Sequence, residues 1–179
     1  MDTLNFDAFP RSGSRSLSTI LGLAFPDYKI FGGSHNPTTL SKQNAITVVR
    51  PYKEVIASWF DVYPEMRGLK KPLDLQQGIN AYVYFYKYIE GFDIFYCSLE
   101  SLTQKPNDVM SLYAQKYNLQ NVKLVDVQEY DSIMTKDLPR HYPKTQPTDR
   151  QTIFEMIETC DLSEIAFSWQ KINKRCVTI

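Results

Sequence analysis

The stretch Phe9-Pro10-Arg11-Ser12-Gly13-Ser14-Arg15-Ser16-Leu17 decides the reading of this chain, because it stands where a strand would turn into a helix. The apolar run Leu4 to Phe9 ahead of it reads as a short buried strand. Behind it, Ser16 to Ala24 carries Leu17, Ile20, Leu21 and Leu23 on or near one helical face until Phe25-Pro26-Asp27 stops the pattern. Such a junction is a natural anion site. The first amides of a helix have no intrahelical acceptor and point along the positive end of the macrodipole, so a phosphate or sulfate answers both. Gly13 permits a tight turn with positive φ, Ser12, Ser14 and Ser16 add hydroxyl donors, and Arg11 and Arg15 add charge. Taken alone, the stretch also fits a plain capped turn that binds nothing.

Working outward, strand and helix signals alternate. Tyr28 to Phe31 is a second strand candidate that runs into Gly32-Gly33-Ser34-His35-Asn36-Pro37, a loop of turn formers. Ala45 to Val49 is a continuous apolar, β-branched run of the kind buried on both faces of a parallel sheet, and it ends at Arg50. Pro51 opens a helix in which Val55, Ile56 and Trp59 recur at helical spacing over Lys53 to Phe60. Tyr63 to Pro72 reads as a mobile surface connector. Leu73 to Phe92 is the longest periodic segment and reads as a largely buried helix, Asp93 to Leu99 as a strand, and Pro106 to Tyr117 as a helix. Beyond Gly91 there is no further glycine, and the last third reads as helices, chiefly Gln151 to Thr159 and Leu162 to Ile172. This alternation predicts one α/β domain over residues 1–179, with a mainly parallel sheet covered by helices on both faces and a helical C-terminal third.

Composition narrows the partners. Twenty basic and twenty acidic side chains cancel, so no global field draws in nucleic acid or a membrane surface. Anion selectivity must then be local. Three widely spaced cysteines, Cys97, Cys160 and Cys176, have no metal-ligand spacing and suit a reducing interior. No long apolar run or signal-like N-terminus is present, so the expectation is a soluble, cytoplasmic protein.

A nucleoside triphosphate loop would need Gly-x-x-x-x-Gly-Lys-Ser/Thr, whose lysine reaches the outer phosphates, and this chain has neither that spacing nor the lysine. A second feature points elsewhere. Arg50 ends a buried strand, Pro51 starts a helix, and Ser58 follows eight residues after Arg50. A bidentate guanidinium and a hydroxyl there can hold another phosphate. Two anion sites at the ends of neighbouring strands suggest one ligand that bridges them.

On these residues the chain resembles the sulfotransferase family, whose donor is 3′-phosphoadenosine 5′-phosphosulfate (PAPS). Pro10-Arg11-Ser12-Gly13-Ser14 is similar to the family's 5′-phosphosulfate loop, its Arg form most like that of the tyrosylprotein sulfotransferases. Val48 to Ser58 is similar to the 3′-phosphate motif, in which an Arg and a Ser keep the same separation, and Phe95 to Leu119 carries a weaker likeness. The resemblance implies a three-layer P-loop NTPase-like fold and transfer of a sulfuryl group to a hydroxyl or amine on a small-molecule or peptide acceptor, with no metal. Arg11 would contact the transferring group, and Ser12, Gly13, Ser14, Arg15 and Ser16 would wrap the 5′-phosphosulfate. Arg50 and Ser58 would select the 3′-phosphate.

An acceptor also needs a base. His35 is the best placed, because its loop should open on the same sheet edge as the anion site; Glu54, Glu65 and His141 are weaker candidates. The Gly-rich, Lys-containing C-terminal motif that closes over the nucleotide in cytosolic sulfotransferases is missing, and Arg140, Lys144 and the Pro139 to Pro147 segment are the candidates to replace it. The Tyr-rich run Tyr82 to Tyr88 reads as core before acceptor pocket. A non-catalytic nucleotide- or anion-binding module of the same fold is the alternative, and a small-molecule or nucleotide kinase a third.

Overall fold

The computed structural model describes residues 2–67, 74–136 and 150–177, the side chains of 61–67 excepted. Four parallel strands form one sheet in the order β2-β1-β3-β4: β1 is Thr3–Phe6, β2 Lys29–Gly32, β3 Ala45–Val49 and β4 Ile94–Ser98. Among the described residues eight α-helices surround it: α1 Ser14–Ala24, α2 Tyr52–Arg67, α3 Leu75–Ile89, α4 Leu99–Gln104, α5 Pro106–Tyr117, α6 Val127–Lys136, α7 Arg150–Glu158 and α8 Ser163–Asn173. The expected α/β architecture with a parallel sheet is therefore present.

Side-chain alternation along the strands sorts the core into two layers. Ala45 and Val49 of β3 and Ile94 and Tyr96 of β4 face a cluster built with α2, α3, α7 and α8. Their neighbours Ile46, Val48, Phe95 and Cys97 face a second cluster with α1, α4, α5 and α6. A strand that is apolar at every position must be covered on both sides, and β3 is buried throughout. Each face is thus closed by four helices, one layer above and one below.

Several elements depart from the sequence reading. β1 stops at Phe6, although burial continues to Phe9; the Asp7 amide still donates to the Ile46 carbonyl at 3.4 Å, while its carboxylate accepts from the loop after β2. Helix α1 begins two residues earlier than Ser16, at Ser14, directly on Gly13. Helix α2 runs through Pro64 to Arg67, so the first part of the expected Tyr63 to Pro72 connector is helical and the remainder lies outside the described residues. A mid-helix proline removes one amide donor, a local loss that need not stop a helix whose first turns are anchored by buried Val55, Ile56 and Phe60. Ser98 caps α4 by accepting from the Ser101 amide, and α6 is a helix of the C-terminal third beyond the two named from the sequence. At the C-terminal side, the Val177 amide donates to the Tyr96 carbonyl at 3.0 Å, adding a one-residue parallel bridge to β4 at Cys176.

Candidate functional site

The strand order places the site. From β1 the chain lays β2 on one side and then crosses to lay β3 on the other, so the direction of winding reverses between β1 and β3. In open parallel sheets the crevice at the carboxyl ends of the strands flanking such a reversal is where ligands bind. The residues that leave β1 are Asp7 to Ser16 and those that leave β3 are Arg50 and Pro51, so both sequence motifs meet at this one point.

The loop after β1 folds tightly. Arg11 has φ 69° and Gly13 φ 108°, both in the left-handed region. The Ser12 amide donates back to the Phe9 carbonyl at 3.1 Å, and the first helical bond of α1 runs from the Leu17 amide to the Gly13 carbonyl at 3.0 Å. No side chain caps the helix at Gly13. The amides of Ser14 and Ser16 therefore have no acceptor within the helix, and they stand at its positive end. Leu99, at the start of α4, packs so closely over Gly13 that a methyl there would meet its Cδ1 at 2.6 Å.

A cleft of about 1120 Å³ opens over this loop. Arg11, Gly13, Ser14 and Arg15 form one wall, Gly32 to His35 a second, and Arg50 a third; Trp59, Tyr84 and Phe85 from α2 and α3 close it with aromatic surface. Three guanidinium-bearing side chains thus line one aromatic-sided cleft, an arrangement that suits a polyanion carrying a flat, apolar part.

The two motifs touch directly. Arg11 Nε donates to Ser58 Oγ at 3.0 Å, across 47 residues of chain. Ser58 is buried on the first turns of α2 and brings the β3 motif to the β1 loop. Arg50 lines the cleft but is bonded through Nε to Glu54 Oε2 at 2.8 Å, one helical turn on. Ser58 is thus engaged by Arg11 and Arg50 by Glu54; Arg50 lines the cleft, whereas Ser58 lies just outside its lining. Ser12 and Ser16 are buried and lie outside the cleft lining, Ser12 beside the hydroxyl of Tyr86, which burial pushes well above its usual range.

His35 lines the opposite wall with φ 60°. Its Nδ1 lies 2.9 Å from the Ala8 carbonyl, and because a carbonyl can only accept, this contact selects the tautomer of the neutral ring in which Nδ1 carries the proton and Nε2 the lone pair. Among the other base candidates, Glu54 is engaged by Arg50. His141, Arg140, Lys144 and the Pro139 to Pro147 segment lie outside the described residues, as does the side chain of Glu65.

The chain matches no protein-family model and no curated protein. The site must be argued from its own residues.

Those residues include some that the sequence reading passed over. Asp7 is the chief one, a fully buried carboxylate just after β1; the signal was an acidic residue inside the mainly apolar run Leu4 to Phe9. Of the Tyr-rich stretch, Tyr82 and Tyr86 are core as expected, whereas Tyr84 is exposed and with Phe85 forms cleft wall. Among the described residues no helix is long and apolar enough to cross a membrane, and no cluster of His, Cys, Asp or Glu has metal-binding geometry.

Proposed function

We propose that this chain is a PAPS-dependent sulfotransferase of P-loop NTPase-like fold, acting on a hydroxyl or amine acceptor. The observation that carries this reading is the Arg11 Nε to Ser58 Oγ hydrogen bond. It joins the loop that would hold the 5′-phosphosulfate to the helix that would hold the 3′-phosphate, at the winding reversal where such folds bind ligands. The aromatic wall of Trp59, Tyr84 and Phe85 offers the surface that the flat part of a nucleotide or an aromatic acceptor would cover.

In the reaction proposed, the acceptor oxygen or nitrogen forms a bond to sulfur as the sulfur to phosphate-oxygen bond breaks. The acceptor's proton passes to His35 Nε2, and 3′-phosphoadenosine 5′-phosphate (PAP) leaves. Charge grows on the departing phosphate, where the Arg11 guanidinium and the amides at the start of α1 oppose it. Arg50 and Ser58 hold the 3′-phosphate and distinguish this donor from AMP-like nucleotides.

Transfer of label from [35S]PAPS to a panel of phenols, sugars, amines and tyrosine peptides tests the reading. Arg11→Ala should lower turnover at saturating PAPS by roughly 100-fold or more, beyond its loss of PAP affinity. PAP binding with no transfer to any acceptor would instead favour the non-catalytic module, and preference for ATP with magnesium would favour a kinase.

A further inference from the structure

Asp7 sits directly after β1, fully buried, a short step from a site built for anions. A buried carboxylate beside an anion pocket opposes the ligand's charge, so its presence needs a compensating role. Its hydrogen bonds show what that role is. Oδ1 accepts from the Ala8 amide and from the His35 amide, each at 2.9 Å, while Oδ2 accepts from the Ser34 hydroxyl and the Asn36 amide, each at 3.2 Å. Four donors converge on two oxygens, an acceptor-only arrangement that the ionised carboxylate satisfies and an amide would not. Burial pushes the carboxyl above its ordinary value, and the backbone amides of Ala8 and Asn36 pull it back.

Three of those four donors belong to the consecutive residues Ser34, His35 and Asn36. The loop they form holds His35 in the left-handed region, a strained conformation for a non-glycine residue that persists only where its surroundings fix it. In that pose the ring reaches back so that Nδ1 meets the Ala8 carbonyl, whose own residue donates its amide to Asp7. One carboxylate thereby fixes both the backbone and the ring orientation of His35. Among the described residues, Arg11, Arg15 and Arg50 are the other charged groups lining the cleft; all are cations, and Asp7 is an anion within reach to offset a positive charge forming on the imidazole.

We infer that Asp7 is a positioning residue for proton transfer, a buried carboxylate that locks His35 with Nδ1 donating to Ala8 and Nε2 turned to the acceptor. The inference rests on the proposed sulfuryl transfer for its chemistry, though the locked tautomer is observable without it.

The experiment uses 15N-histidine-labelled protein. Because the chain has two histidines, His35 and His141, the His35→Gln variant assigns the spectrum. In the wild type, at a pH where His35 is neutral, the Nδ1–H tautomer is expected to dominate; in Asp7→Asn the two tautomers should mix as the loop is released. Turnover should fall roughly 10- to 100-fold in Asp7→Asn while PAP affinity stays within about threefold, and adding Asp7→Asn to His35→Gln should cost nothing further. A wild-type spectrum dominated by the Nε2–H tautomer overturns the inference even if Asp7→Asn fails to fold. So does a double variant whose losses simply add. Absence of transfer to every acceptor removes the proposed function, while the tautomer measurement still decides the Asp7 to His35 link.

Discussion

Arg11 and Ser58 share a hydrogen bond of 3.0 Å from Nε to Oγ, although one belongs to the loop after β1 and the other to the second turn of α2. The bond ties the Arg11 guanidinium to the serine and makes the Ser58 hydroxyl an acceptor, so each side chain holds the other in place. Ser58→Ala removes this link. A hydrogen bond to a charged group contributes roughly 1.5–3 kcal/mol, so PAP affinity should fall by about tenfold or more in a calorimetric titration, with AMP binding less affected.

Glu54 competes with the ligand for Arg50. Their contact is short, but both side chains are partly exposed, and such pairs are worth little in stability, about 0.2–1 kcal/mol. Glu54→Gln should therefore leave the urea midpoint nearly unchanged and tighten PAP binding several-fold, because the guanidinium is released and a like charge is removed from the phosphate site. Weaker binding in that variant would show that Glu54 positions Arg50 instead of competing for it.

Gly13 combines a left-handed backbone with a close neighbour, Leu99 Cδ1. Gly13→Ala should cost roughly 1–3 kcal/mol in urea unfolding, chiefly from the φ of 108°, since the leucine side chain can shift. Gly22 is the control, an exposed position inside α1 where a methyl meets only Ile30 Cδ1 at 3.9 Å. Gly22→Ala should stabilise by up to about 1 kcal/mol.

Asp7 also makes a pH prediction. Its native carboxyl lies above the ordinary 3.8, with desolvation as the main cause. In the window between the unfolded and native values the folded state binds more protons, so Asp7's contribution to stability is fully present in acid and lost as pH rises through the native value. The difference in unfolding free energy, wild type minus Asp7→Asn, should accordingly decrease from acid to neutral pH. Other carboxylates titrate in both proteins and cancel.

Most of the fold was legible because it depends on local signals. Ala45 to Val49 and Pro106 to Tyr117 coincide with the structural elements, the first through continuous burial and the second through its leading proline. Helix α6 was not singled out within the last third read as helices, although Val127, Tyr130, Ile133 and Met134 recur at helical spacing; ten residues with no proline at the start and no glycine at the end give it weak boundaries. The site divided in the same way. Arg11, Arg15, Arg50 and His35 reach one cleft, as their places at strand ends implied. Their partners were not legible, since the Arg11–Ser58 and Asp7–His35 contacts join segments 47 and 28 residues apart and depend on which strand lies beside which.

A ligand anchored by two phosphates must bind more tightly than one anchored by a single phosphate, which calorimetric titration of PAP and AMP into the wild type and Arg50→Ala measures. PAP should bind the wild type at least tenfold more tightly than AMP, and Arg50→Ala should erase most of this preference while AMP affinity changes little. Equal affinity for PAP and AMP in the wild type would contradict anchoring by two phosphates.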